Sequence, residues 1–123
     1  HTNSAADSVD RMVNVFPQEQ QRQVRIQLAA TLRAVISQQL LPRKSSRGRA
    51  AACEIMVVNP AIKNLIREGK TPQIESFIGM NAQLGSILMD DALQKMVREG
   101  TVAQATAQRY ARDPERFRGP GRF

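Results

Sequence analysis

Asn59-Pro60-Ala61-Ile62-Lys63-Asn64-Leu65-Ile66-Arg67-Glu68-Gly69 carries its own punctuation for a short helix. Asn59 can cap the first free N–H groups, and Pro60 suits the first helical position, where its missing donor costs nothing. Gly69 can adopt the left-handed conformation that closes the last turn. Between these marks Ile62, Leu65 and Ile66 fall at i, i+3 and i+4 and form one apolar stripe. Asn64, Arg67 and Glu68 face elsewhere. Such a helix docks by its apolar side and offers its polar side to a partner, although periodicity alone describes an ordinary core-facing helix.

Immediately upstream, Ala50–Val58 is a nearly continuous apolar run. With Leu40-Leu41-Pro42-Arg43 across the turn-rich Lys44–Gly48 it predicts a β-hairpin. Continuous apolar runs belong to strands buried on both faces, inside a larger sheet covered by helices. No other stretch supplies good strands for that sheet, so they are expected upstream of His1. The chain, which opens without an initiating methionine, therefore reads as part of something longer. Glu54 interrupts the run, and a salt-bridged or edge-facing carboxylate is the expectation there. Farther upstream, Val24, Leu28, Leu32, Val35 and Ile36 follow the 3.6-residue period and predict one long helix over 18–39, the spine of the core. Before it, Asn3 or Ser4 caps a helix over 4–15, with Val9, Met12, Val13 and Phe16 inward, and Pro17 breaks it.

Downstream of the anchor, Thr71 is expected to cap and Pro72 to open a short helix closed by Gly79, with Ile74, Phe77 and Ile78 inward. A further helix is predicted from Leu84 or Gly85 to Glu99. Thr101-Val102-Ala103-Gln104 matches a capping box for a last helix through Tyr110 to Arg112, stopped by Asp113-Pro114. The fold class expected is mostly α, about six helices, with one β-hairpin. Residues 118–123 form a flexible tail beyond the domain at 1–117.

The string AIKNLIRE, Ala61 to Glu68, resembles the signature of the type IV pilus retraction ATPases, the twitching-motility branch of the secretion ATPase superfamily. His1-Thr2-Asn3-Ser4-Ala5 resembles the end of that family's histidine box. Asp10-Arg11, Val15-Phe16-Pro17, Val35-Ile36-Ser37-Gln38 and Glu54-Ile55-Met56 follow it as they do in the family. Lys63 stands where the family has arginine, which keeps the charge and loses the planar fork of donors. The resemblance implies the C-terminal part of a RecA-like P-loop ATPase domain. For the full-length protein it implies a cytoplasmic hexamer, peripheral at the inner membrane, that hydrolyses ATP with magnesium and acts on the pilus platform protein. His1 then lies near the nucleotide γ-phosphate and couples its state to domain motion. Ala61, Ile62, Lys63, Asn64, Leu65, Ile66, Arg67 and Glu68 form the retraction signature.

The charge of +7 over 123 residues raises a second reading, a small basic nucleic-acid-binding or adaptor protein. Its distribution argues against that reading. Arg43–Arg49 holds four positive charges and no negative ones, and residues 109–123 hold five arginines against Asp113 and Glu115; these two segments account for the whole net charge. A basic loop and a basic tail are not a continuous binding face, and one tyrosine and four phenylalanines, spread far apart, are too few for base stacking. The single cysteine, Cys53, excludes an internal disulfide and suits a reducing compartment. No run approaches the roughly 18 apolar residues of a membrane span.

Chemistry-bearing patterns are sparse. One histidine and one cysteine cannot build the usual zinc site. Asp90-Asp91 point about 100° apart on a helix and read as a solvated face. Gly69-Lys70-Thr71 lacks the upstream glycine of a phosphate loop and follows a helix instead of a strand. The chain by itself is therefore expected to bind no nucleotide and to lack ATPase activity. It is also expected to self-associate through 50–58, whose flanking strands it does not contain.

Overall fold

A computed structural model of the chain describes residues 4–80 and 82–119. His1, the residue assigned a catalytic context by resemblance, lies outside the described residues, as do Thr2 and Asn3. Six helices and one antiparallel hairpin account for the regular structure, in agreement with the expected class.

Helix α1, Ala5–Asn14, starts at Ser4, whose hydroxyl accepts the Asp7 N–H at 3.0 Å. Helix α2, Gln18–Thr31, is the longest, but it stops well short of residue 39. Leu32 turns to ψ 130°, and strand β1 runs over Ala34–Pro42. The 3.6-residue pattern across 24–36 was thus two patterns end to end. β-branched Val35 and Ile36 pair across the ladder with Met56 and Ile55. That long-range pairing outweighs helix continuation, to which β-branched side chains contribute little. Nor is α2 the spine of the core: Ala29 is its one fully buried residue.

Strand β2, Arg49–Val57, pairs with β1 through a turn at whose end Gly48 holds φ +97°. Its burial alternates. Ala50, Ala52, Glu54 and Met56 point inward, while Ala51, Cys53, Ile55 and Val57 stay partly or fully exposed. Among the described residues the sheet has two strands, with helices on one face only. Part of the outer edge of β2 is occupied, because Ile55 and Ile87 exchange backbone hydrogen bonds at 2.9 and 2.8 Å. The Ser86 hydroxyl also accepts the Val57 N–H at 3.0 Å.

Helix α3, Pro60–Glu68, forms as its punctuation dictates. Asn59 Oδ1 accepts the Ile62 N–H at 2.9 Å, Gly69 holds φ +72°, and Ile62, Leu65 and Ile66 are buried. A short 3-10 turn, Thr71–Gln73, precedes helix α4, Ile74–Met80. Thr71 is not a cap. Its hydroxyl donates instead to the Asp10 carboxylate at 2.7 Å, tying the turn to α1. Gly79 lies within α4, where a side chain would meet Leu88.

Helix α5 is Met89–Arg98, shorter than the pattern from Leu84 suggests. Gly85 takes φ +93° and Ile87 is drawn into the bridge with β2, which pulls 84–88 out of the helix and leaves Leu84 and Ile87 exposed. Helix α6, Gln104–Tyr110, begins without a side-chain cap, so the capping box does not form. The Gln104 amide donates to the carbonyls of Phe117 and Gly119, holding a final 3-10 turn, Pro114–Phe117, against α6. The expected tail begins at Arg118; its residues 120–123 lie outside the described residues.

The apolar interior has two parts. One gathers Val9, Met56, Ile62, Ile66, Ile74 and Ile78 from α1, β2, α3 and α4. The other gathers Leu41, Ala52, Leu93, Val102 and Phe117 around α5 and α6. The inner face of β2 serves both: Met56 enters the first, Ala52 the second, and Glu54 stands between them.

Candidate functional site

Helix α3, which carries Ala61–Glu68, divides cleanly by side. Ile62, Leu65 and Ile66 fill the first core, while Asn64, Arg67 and Glu68 are exposed and Ala61 and Lys63 are partly covered. The Arg67 guanidinium donates to Asn64 Oδ1 at 2.7 Å, one turn back on the same face. Lys70 pairs with Glu68 at 3.2 Å. Helix α2 packs alongside α3, and between them runs an open groove of about 700 Å³ lined by Arg22, Arg25, Ile26, Arg67, Glu68 and Lys70. The Arg25 side chain lies against Gly69, where a Cβ would come 3.2 Å from its Nε. The polar residues Asn64, Arg67 and Glu68 therefore lie on one accessible face, and Arg22 and Arg25 of α2 border it.

The second polar constellation is buried and was not legible as a group. Glu54 is 1% exposed. Its Oε1 accepts the Ala5 N–H at 2.8 Å and its Oε2 the Met89 N–H at 3.0 Å. Ala5 and Met89 are the first residues of α1 and α5, so one carboxylate serves the N-termini of two helices, where their dipoles favour negative charge. Arg112 reaches Glu54 at 3.5 Å and Glu75 of α4 at 3.0 Å. Burial alone would lower the Arg112 guanidinium, and the charges of Glu54 and Glu75 outweigh it to leave the group raised. Asp90, expected on a solvated face, is buried and accepts the backbone N–H groups of Arg112 and Asp113 at 2.8 and 2.9 Å. Asp91 alone of that pair is solvated, and it binds Arg116 at 2.7 Å. Much of the C-terminal basic charge is thus matched internally, and the salt-bridged reading of Glu54 holds. The carboxylate in an apolar strand was the signal; its partners, 49 or more residues away for Ala5 and Arg112, carried none.

Among the described residues, the string nearest to a phosphate loop is not built as one. In Gly69-Lys70-Thr71 the glycine closes a helix, the lysine pairs with Glu68 and the threonine hydroxyl is bonded to Asp10. Among the described residues no group of three His, Cys, Asp or Glu side chains could hold a metal, and no helix is long and apolar enough to cross a membrane.

No protein-family model matches the chain. It is 45% identical over 115 residues to a twitching motility protein of Neisseria gonorrhoeae, covering 94% of this chain and 31% of the relative. It is 44% identical over 117 residues to the type IV pilus retraction ATPase PilT of Pseudomonas aeruginosa, covering 95% of this chain and 34% of that protein. The crystal structure of the pilus retraction motor PilT with bound ADP superposes with a TM-score of 0.79 at 40% identity, over 94% of this chain and 32% of that one. Over nearly its whole length the chain is similar to the C-terminal part of type IV pilus retraction ATPases. It spans about a third of the length of these relatives and corresponds to their C-terminal part. The hairpin and six helices are accordingly the C-terminal portion of a retraction ATPase fold.

Proposed function

We propose that this chain is the C-terminal part of a motor that powers type IV pilus retraction and twitching motility. The observation that carries the reading is α3: a signature helix held by three buried aliphatic residues, with Asn64, Arg67 and Glu68 left reachable, in a chain 44% identical to a retraction ATPase. The full protein acts as a cytoplasmic hexamer at the inner membrane, where it turns ATP hydrolysis into work on the pilus platform protein. ATP and magnesium belong to residues upstream of this chain, and His1 is assigned the coupling role of the histidine box by its resemblance alone. Phosphoryl transfer relies on positioned backbone donors, a lysine and a metal ion. This segment contributes none of them and is inactive as an ATPase alone. Its own part is mechanical and recognitional. The apolar stripe fixes α3 to the body, and the polar face passes the motion of the body to a partner.

The test is made in the intact motor in a twitching bacterium. Replacing Asn64, Arg67 and Glu68 by alanine abolishes twitching while the level and melting temperature of the motor stay unchanged. Normal twitching in that variant overturns the reading. Turnover above background in the purified 123-residue chain overturns the inactivity of the segment.

A further inference from the structure

The groove between α2 and the C-terminal turn of α3 gathers basic side chains that lack the carboxylate partners of the C-terminal arginines. Arg112, Arg116 and Arg118 each meet a carboxylate. Among the described residues no carboxylate pairs with Arg22, Arg25 or Arg67, although these three converge on one groove together with Lys70. Glu68 is the single acidic side chain in the lining, and Lys70 engages it. The C-terminus of α3 supplies roughly half an elementary negative charge. Helix and Glu68 together leave most of the four positive charges uncompensated. Ile26, 38% exposed, is the single apolar side chain of the lining.

We propose that this groove docks an acidic segment of another protein, one that presents carboxylates on both sides of an apolar residue. The proposal rests on the reading of α3 as a partner-facing helix, and it specifies the chemistry of the partner. Arginine forks take carboxylates in bidentate pairs, and such pairs fix orientation as well as charge. Ile26 gives the apolar residue a seat, as the centre of a small interface requires. A nucleic acid fits less well: the groove has no aromatic side chain for stacking, and Glu68 would face the phosphate track. The Asn64–Arg67 bond holds one guanidinium of the lining in place, so part of the ordering is complete before a partner arrives.

The experiment uses the whole chain and a short fluorescein-labelled peptide of glutamates around one leucine, followed by fluorescence anisotropy. Arg22→Glu with Arg67→Glu is expected to weaken binding by about ten-fold or more, equal to ~1.4 kcal/mol. Arg43→Glu with Arg47→Glu, the same charge change at the hairpin tip, leaves binding within about two-fold once screening is matched. Thermal melts of the variants overlay that of the parent; if the reversals unfold the chain, Arg22→Gln with Arg67→Gln gives the same ranking. Equal weakening by both pairs of reversals, no peptide binding, or tighter binding of oligothymidylate in the groove overturns the proposal. Failure here with twitching still dependent on Asn64, Arg67 and Glu68 removes the acidic partner alone. Peptide binding without that dependence removes the motor reading instead.

Discussion

Glu54 shows how much one side chain organises. Its carboxylate joins the first residues of α1 and α5, anchors Arg112 and lies between the two apolar cores. Replacing it by alanine leaves two helix N–H groups without their acceptor and takes from Arg112 its buried carboxylate, leaving Glu75. Breaking such a buried pair costs roughly 3–5 kcal/mol; with the Arg112 side chain 33% exposed, the low end is expected, about 3 kcal/mol by urea unfolding. Glutamine at this position is expected to recover part of that loss, since its amide oxygen can still accept one N–H. The sign with pH follows from the raised Arg112: its contribution is fully present below the ordinary arginine range and is lost only as pH rises through the raised value. Acid-side unfolding therefore does not originate in that guanidinium. Gly69 makes the complementary point about backbone. At φ +72° with Arg25 against it, Gly69→Ala is expected to lower stability by about 1–2 kcal/mol, read as a drop in melting temperature.

At the scale of elements, α3 was legible because every determinant was local: cap, proline, apolar stripe and closing glycine all lie within eleven residues. Alanine at Ile62, Leu65 or Ile66 is expected to cost about 2–5 kcal/mol each in denaturant unfolding. Alanine at Asn64, Arg67 or Glu68 is expected to change stability by about 0.5 kcal/mol or less, as for exposed positions generally. Loss of folding in the polar variants would remove the division of the helix into a docking side and a free side. Where determinants were distant, sequence reading failed. Nothing near Thr31 announces the end of α2, because what stops it is pairing with β2, some twenty residues on. Leu84 and Ile87 fit a helical period, yet the bridge from Ile87 to Ile55 places that segment beside the sheet. Thr101 and Gln104 match a capping box, but Gln104 is taken by the carbonyls of the last turn. Asp90 failed for the same reason, with donors 22 and 23 residues away.

For the whole molecule, the hairpin decides how the chain behaves with others of its kind. Its inner face is covered by α1, α4, α5 and α6, so apolar collapse through that side is closed. Its outer face is not: Ile36 is 66% exposed, Leu40 45% and Ile87 40%, around the half-covered Ile55 and Val57. At the edge of β2, Ile87 and Ser86 occupy Ile55 and Val57, which leaves Ala51 and Cys53 toward the tip without such a cover. An edge of this kind is a template for a second strand. The basic tip, Arg43 to Arg49, repels a like copy only near itself, because exposed charges are screened beyond about 8 Å at physiological salt. Self-association of the chain through 50–58 and the face behind it is therefore expected, by strand pairing between two copies. Sedimentation at increasing concentration checks this directly, with a dimer growing in as the concentration rises. Ile36→Lys with Leu40→Lys places like charges opposite one another on the exposed face and is expected to restore the monomer without loss of melting temperature. A monomer at high concentration in the parent chain would mean that the outer face is closed by the ladder and bridge already present.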